Sequence, residues 1–354
     1  MNLISRKQKK FINKTFSFIV FVSIVVFAFL FKDFLILQWQ HSLAFYYVYE
    51  GDRKYKQGKL QDAINSYDKA LKLFPEHVKA RYNLGNIYVT YEDFNRAAEC
   101  YEKALDVYPD FLNARISLGI ILSQELIDLD RAIEEYKKVV KTKPFVINIP
   151  FLFSNNHHIN YSIAIAYYNL GLAYKSKSLL AGTSPALVRE CLQNAVDNYK
   201  KSLKYVPDSY DTHYNLALTL HLLGNYNEAI EEYCKAIDLE PMNYEAHYNL
   251  AILLRQKMMY KESIEELQKA GLLLDANGDN SKTRYIYQVL SDVSQRDEGL
   301  SLKYTHIPDQ IEKEPSKQKY EIAYKNGKVV LEEKSEKSII DDFKNCKVCS
   351  VIKY

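Results

Sequence analysis

The chain has 354 residues, is 47% hydrophobic and 26% charged, and holds only 11 Gly and 9 Pro. That is the composition of a folded protein and excludes wholesale disorder or a collagen-like chain. The formal charge of +3 is unevenly spread: six bases and no acid stand in residues 1–32, leaving 41 bases against 44 acids in the rest. A body so balanced has no clustered positive surface for phosphates, so no nucleic-acid partner is expected.

Residues 1–43 read as a basic stub, a transmembrane anchor and a juxtamembrane segment. Residues 15–31 (TFSFIVFVSIVVFAFLF) contain no charge. As a helix at ~1.5 Å per residue they would span about 25 Å, close to a ~30 Å hydrocarbon core. The apolar residues run all round, with no polar stripe that would mark a buried core helix. Ser42-Leu43-Ala44 is the nearest match to a cleavage site, but it lies far beyond the apolar run, so an uncleaved anchor is expected. Five bases precede the run, whereas Lys32 and Asp33 follow it and cancel. The positive-inside rule then leaves the amino terminus cytoplasmic and sends the body across, into the periplasm if the cell is Gram-negative. Trp39, Phe45, Tyr46 and Tyr47 follow at interfacial depth.

A repeat begins next. Gly51, Gly85 and Gly119 are spaced by 34 residues, as are Ala63 and Ala97, Tyr67 and Tyr101, and Ala70 and Ala104. Pro75, Pro109, Pro144, Pro207 and Pro241 fall on the same lattice with spacings of 34, 35, 63 and 34. The segment RYNLGNIYVTYEDFNRAAECYEKALDVYP at 81–109 is echoed by YYNLGLAY at 167, HYNLALTLHLLGNYNEAIEEYCKAIDLEP at 213 and HYNLAILL at 247. Such a period means stacked supersecondary units, each unable to bury its apolar face alone.

These residues resemble the tetratricopeptide repeat family, with its L-G-x2-Y, A-x3-F and terminal Pro pattern. The resemblance covers six units, 44–77, 78–111, 112–146, 164–209, 210–243 and 244–275. The family's Trp, four residues before the Gly column, is replaced by Tyr47, Arg81, Arg115, Tyr167, His213 and His247. The resemblance implies an all-α fold, a right-handed α-solenoid of helix pairs over 44–296, preceded by the single transmembrane helix. Small residues such as Gly85, Ala97 and Ala104 would let the two helices cross closely, with tyrosines filling the flanks.

The fourth unit departs from the period, with insertions at 145–163 and 176–187. Residues 174–181 and 185–190 read as extra helical turns, with Ser184 as N-cap before Pro185. His157-His158 has no further ligands at metal spacing and reads as a pair of loop histidines. A capping helix is expected at 280–295, because a terminal repeat needs a polar outer face. The tail, 297–354, holds 11 acids and 11 bases and reads as mostly irregular. Asn326-Gly327 between two apolar runs predicts a hairpin over 320–333. Cys346 and Cys349 form a lone C-x-x-C, a possible redox pair and the basis of an alternative reading as a thiol-redox or metal-dependent accessory.

The resemblance also implies a groove lined by the first helix of each unit. Two residues before the Gly column stand Asn83, Asn169, Asn215 and Asn249; Ser117 and Tyr49 take the place in the other two units. In similar proteins such as the O-linked N-acetylglucosamine transferases an asparagine ladder holds the backbone of an extended peptide. Tyr82, Tyr168, Tyr214 and Tyr248 run beside it as flat apolar surfaces. Chaperone-binding members use a Lys and Asn clamp for an acidic chain terminus, but Val48 and Tyr82 stand in its first column, so that capture is not expected. No G-x-S-x-G, P-loop, H-E-x-x-H or G-x-G-x-x-G occurs. The expectation is therefore a membrane-anchored scaffold binding proteins or extended peptides in assembly of an envelope complex, with no catalysis, cofactor or metal.

Overall fold

The computed structural model describes residues 6–142, 156–180, 184–276, 320–325 and 328–333, with positions 285, 286, 288, 289, 292 and 293. These residues divide into two compact units, 1–126 and 127–354.

Unit one opens with α1 (Arg6–Leu30) and α2 (Lys32–Lys56). Among the described residues no single helix is long and apolar enough to cross a membrane. Lys14–Phe27 and Lys32–Lys56 meet the length and composition test only as a pair, bent by 65°. The apolar side chains of α1 face outward: Phe16, Ile19, Phe21, Ile24 and Phe27 are all exposed. The carboxyl-terminal half of α2 is different, because Ala44, Val48 and Gly51 are buried and serve as the first helix of the first repeat.

Four more helices follow, α3 (Leu60–Leu73), α4 (Val78–Thr90), α5 (Phe94–Val107) and α6 (Leu112–Gln124). The core of this unit gathers Ala44, Val48, Ala63, Ile64, Tyr67, Ala70, Ala80, Leu84 and Ile87. The glycine column has a steric cause. A Cβ on Gly85 would stand 2.6 Å from Cε1 of Tyr101, and one on Gly51 2.5 Å from Cε1 of Tyr67, closer than van der Waals contact allows. The bare backbone of the first helix is what admits the tyrosine of the second.

Unit two contains α7 (Leu129–Lys141), α8 (Asn156–Leu180), α9 (Pro185–Tyr205), α10 (Tyr210–Leu223), α11 (Tyr226–Leu239), α12 (Tyr244–Gln256) and α13 (Tyr260–Ala276). Here α8 and α9 have 25 and 21 residues, against 14 each for α10 and α11, so the added turns lie on both helices of the fourth unit. Pro185 takes the first turn of α9, but Ser184 makes no capping hydrogen bond. His157 and His158 lie in the first turn of α8, not in a loop, since that helix starts at Asn156 within the segment read as an insertion. Tyr199 and Tyr233 sit in the core with Leu216, Ala217, Leu220, Ile237, Leu250 and Leu253. Beyond α13, Ile286, Val289 and Val293, spaced as one helix face, are buried with Ala251, Ile264, Leu267, Ala270 and Leu274. In the tail, β1 (Tyr320–Lys325) and β2 (Lys328–Glu333) pair antiparallel with Lys325 opposite Lys328.

The Trp column of the repeat carries a different device here. Arg81 donates through Nε and Nη2 to the Pro75 carbonyl at 3.0 and 2.7 Å, and Arg115 donates through Nη2 to the Pro109 carbonyl. His213 Nε2 donates to the Pro207 carbonyl at 2.8 Å, and His247 Nε2 to Pro241 at 2.9 Å. A cationic or polar side chain therefore satisfies the carbonyl left open just beyond the preceding helix. In the two histidine repeats Nδ1 also meets a carboxylate, Glu232 at 2.5 Å and Glu266 at 2.6 Å, each backed by a lysine, Lys235 or Lys269. Burial pushes the Glu266 carboxyl up, but the hydrogen bond from His247 and the charges of His247 and Lys269 outweigh it and leave it below the usual range.

A stability test follows from that sign. A carboxyl depressed in the folded state contributes stability above its unfolded pKa, and this is lost as pH falls through the folded value. Glu266→Gln should lower stability at neutral pH by about 3–5 kcal/mol, because it leaves buried cations unbalanced. It should also flatten the loss of the urea midpoint between about pH 5 and pH 3 relative to the parent. An acid arm as steep as the parent's would refute the pairing.

The turns between paired helices share one feature: Gly58, Glu92, Ile127, Gly224 and Met258 all have positive φ, with values between 54° and 82°. Ile127 is the strained one, because a β-branched side chain meets the backbone there. Its side chain is 64% exposed, so little burial is lost on removing it. Ile127→Gly should raise stability by about 0.5–1 kcal/mol, as the left-handed penalty exceeds the entropy cost of glycine. Matched denaturation curves of the two proteins check this.

Candidate functional site

The candidate surface is the first-helix face, and unit two presents it on α8, α10 and α12. Tyr168-Asn169, Tyr214-Asn215 and Tyr248-Asn249 are the recurring dipeptides. Asn215 Nδ2 donates to its own helix at Asp211 O, 2.9 Å, and to Tyr168 Oη, 3.2 Å, on the preceding first helix. Asn249 repeats this with Glu245 O at 2.9 Å and Tyr214 Oη at 2.8 Å. Asn169 donates to Ile165 O at 2.9 Å. Each asparagine thus turns its amide toward its own helix, and two of them also tie down the tyrosine one repeat earlier. Burial and the Asp211 charge push the Tyr168 phenol up to about 12, and burial with the Glu245 charge does the same for Tyr214. Both therefore stay protonated donors. Burial followed by the hydroxyl of Tyr285 raises Tyr248 to about 12 as well, and their rings are 6.4 Å apart.

In unit one the fourth asparagine has a carboxylate partner. Asn83 Nδ2 donates to Asp52 Oδ1 at 2.7 Å, which also receives the Tyr67 hydroxyl at 2.7 Å. Lys79 Nζ donates to Asp52 Oδ2 at 2.6 Å. Burial pushes the Asp52 carboxyl up, yet the donors Lys79, Tyr67 and Asn83 together hold it below the usual carboxylate range. Tyr82 is packed between aromatic rings, 5.6 Å from Tyr101 and 5.0 Å from Phe111. Cys346 and Cys349 lie outside the described residues.

Two participants were missed from sequence. Asp52 was hidden because it follows the Gly column, where other repeats have Asn86, Leu172 and Leu218. Lys175 was passed over as one of many lysines, though it stands seven residues after Tyr168 and so on the same helix face. Its Nζ donates to Asn215 Oδ1 at 2.6 Å.

Because the asparagines bond within the protein, they contribute to folding. Single Asn→Ala changes at 83, 215 and 249 should each cost about 0.5–1.5 kcal/mol, the net value of a partly buried hydrogen bond. The quadruple Asn→Ala variant should melt clearly below the parent in thermal denaturation. An unchanged melting temperature would show that these bonds stabilise nothing.

Comparison with known proteins bears on the repeats. TPR-repeat profiles match residues 51–90 and 220–258, and tetratricopeptide-repeat profiles match 78–111 and 198–231. No curated protein matches the sequence. Among solved structures, PilF of Pseudomonas aeruginosa is similar with a TM-score of 0.53 at 18% identity, covering 71% of this chain and 98% of that one. MamA is similar at 24% identity and a TM-score of 0.44, covering 56% of this chain and 92% of its own. YrrB, described as a TPR protein with an unusual peptide-binding site, is 23% identical with a TM-score of 0.40, covering 55% and 85%. The paired helices, their 34-residue spacing and the matched segments show that this chain contains tetratricopeptide repeats.

Proposed function

We propose that the chain is a membrane-anchored scaffold whose repeats hold extended segments of partner proteins, in assembly of an envelope complex. The observation that carries the holding role is the state of Tyr168 and Tyr214. Each hydroxyl accepts from an asparagine, so its own O–H is left to donate outward beside a flat ring. Such a row suits main-chain carbonyls and apolar side chains of many sequences. Asn215 and Asn249 then serve the groove by orienting these tyrosines, and Asn169 and Asn249 through their own oxygens. Tyr82 and Asn83 are the corresponding dipeptide of unit one. The protein acts by binding, without catalysis; Cys100, a half-buried thiol pushed up to about 11 by burial, lacks the thiolate character of a nucleophile.

Support for the anchor comes from α1, whose charge-free stretch exposes Phe16, Phe18, Ile19, Phe21, Ile24 and Phe27 together. A continuous apolar surface of this kind needs cover, and a bilayer supplies it without a partner. The bases ahead of it keep the amino terminus cytoplasmic and place the repeats outside the cytoplasm, in the periplasm of a Gram-negative cell.

Alkaline phosphatase fused after Tyr354 tests the topology, since this reporter is active only once exported. Activity is expected in intact cells, with the fusion remaining in the membrane pellet after a high-salt wash. Activity of a cytoplasm-dependent reporter at the same position would reverse the orientation, and release by salt would remove the anchor.

A further inference from the structure

On the first-helix face of unit two, a lysine and a tyrosine meet one asparagine amide. Lys175 gives one N–H to Asn215 Oδ1 at 2.6 Å and has no carboxylate partner among the described residues. Tyr168 meets the other end of the same amide, its oxygen 3.2 Å from Nδ2, so the ammonium group and the phenol flank one side chain. Asp211 acts on Tyr168 only through space, with no hydrogen bond to it. Behind this pair, the hydroxyls of Tyr199 and Tyr233 have no hydrogen-bond partner although both residues are 0% exposed. The Tyr199 ring lies 5.9 Å from Tyr168, and that of Tyr233 6.2 Å from Tyr214. Unsatisfied buried donors are costly and call for an explanation. Burial also lowers Lys175 from the ordinary lysine value, with no opposing charge to restore it.

The first repeat contains the same donor set with its acceptor in place. Tyr67 occupies on α3 the column that Tyr199 occupies on α9, and its hydroxyl donates to the Asp52 carboxylate. That carboxylate also gathers an asparagine amide, Asn83, and a lysine, Lys79. Asp52 directly follows Gly51, whereas Leu172 follows Gly171 and Leu218 follows Ala217. The set recurs in unit two as Tyr199, Asn215 and Lys175, with no carboxylate hydrogen-bonded to them among the described residues.

We propose that this face takes a carboxylate from its partner: an Asp or Glu side chain within an extended protein segment, seated on Lys175 Nζ and the Tyr168 hydroxyl. It plays there the role that Asp52 plays inside the first repeat. The proposal rests on the peptide-holding reading above and adds the chemistry of one held residue. A single cation matches a single side-chain carboxylate, and the surplus of acids over bases outside residues 1–32 disfavours a polyanion.

Selection of random twelve-residue peptides displayed on phage, against the full chain in detergent micelles, tests it. Enriched peptides should share an Asp or Glu. Its replacement by Asn or Gln in the synthetic peptide should weaken binding about tenfold, the scale of one charge-assisted hydrogen bond. Lys175→Gln should cause the same loss for the acidic peptide and none for the neutral one, while Lys175→Arg restores the preference. Lys177→Gln, whose amine already pairs with Asp130, should leave binding unchanged. Enriched peptides without an acid, or equal affinity for acidic and neutral versions, would overturn the carboxylate and leave the groove standing. Failure to enrich any peptide would remove both. Should Lys175→Gln fail to fold, the acidic and neutral peptides on the parent protein still decide the question.

Discussion

The architecture depends on one contact, a second-helix tyrosine driven against a first-helix glycine. Tyr67, Tyr101 and Tyr199 are almost wholly buried, each against a glycine whose missing Cβ makes room for the ring. A phenol is a large apolar body with one polar tip, so burying it fixes both the crossing of the two helices and the destination of its hydroxyl. Where that tip arrives decides the chemistry of the groove. In the first repeat it arrives at Asp52, in the second at Asn86, and for Tyr199 and Tyr233 at no acceptor among the described residues.

A second constraint follows from the ends of the helices. After α3, α5, α9 and α11 a proline follows the helix and leaves its carbonyl open, and Arg81, Arg115, His213 and His247 close it from the next helix. This explains the missing tryptophan. The position is occupied by a donor that links consecutive repeats, and the two histidines extend the link to Glu232 and Glu266. Links of this kind couple neighbours, which is how a repeat array gains cooperativity beyond the stability of its single units.

The asparagine column shows how a surface can serve folding and binding together. Asn215 and Asn249 hold tyrosines of the preceding repeat by their oxygens and so leave the phenolic protons available. Rigid donors on a fixed spacing lose little entropy when a partner arrives. The same bonds mean that an alanine scan of this column reads stability and affinity at once, and the two must be measured on the same variants.

The 34-residue period, the helix pairs, the extended fourth unit and the hairpin pairing of 320–325 with 328–333 were legible in the sequence, because each follows from local spacing, turn chemistry and breakers. Helix starts were less so: α8 begins at Asn156 and takes His157 and His158, which the sequence reads as loop histidines, into its first turn. The positive φ at Ile127 was beyond reading, since the repeat geometry imposes a turn its own residue disfavours. The candidate column itself was visible as Tyr-Asn dipeptides, but not the direction of each amide. Whether Asn83 meets Asp52, whether Lys175 meets Asn215, and whether a tyrosine hydroxyl finds an acceptor depend on residues 31 and 40 positions apart in the first two cases. A periodic sequence determines which residues share a face; only the tertiary structure decides which donors on that face are already satisfied, because hydrogen bonding depends on approach to within about 3 Å and not on spacing along the chain.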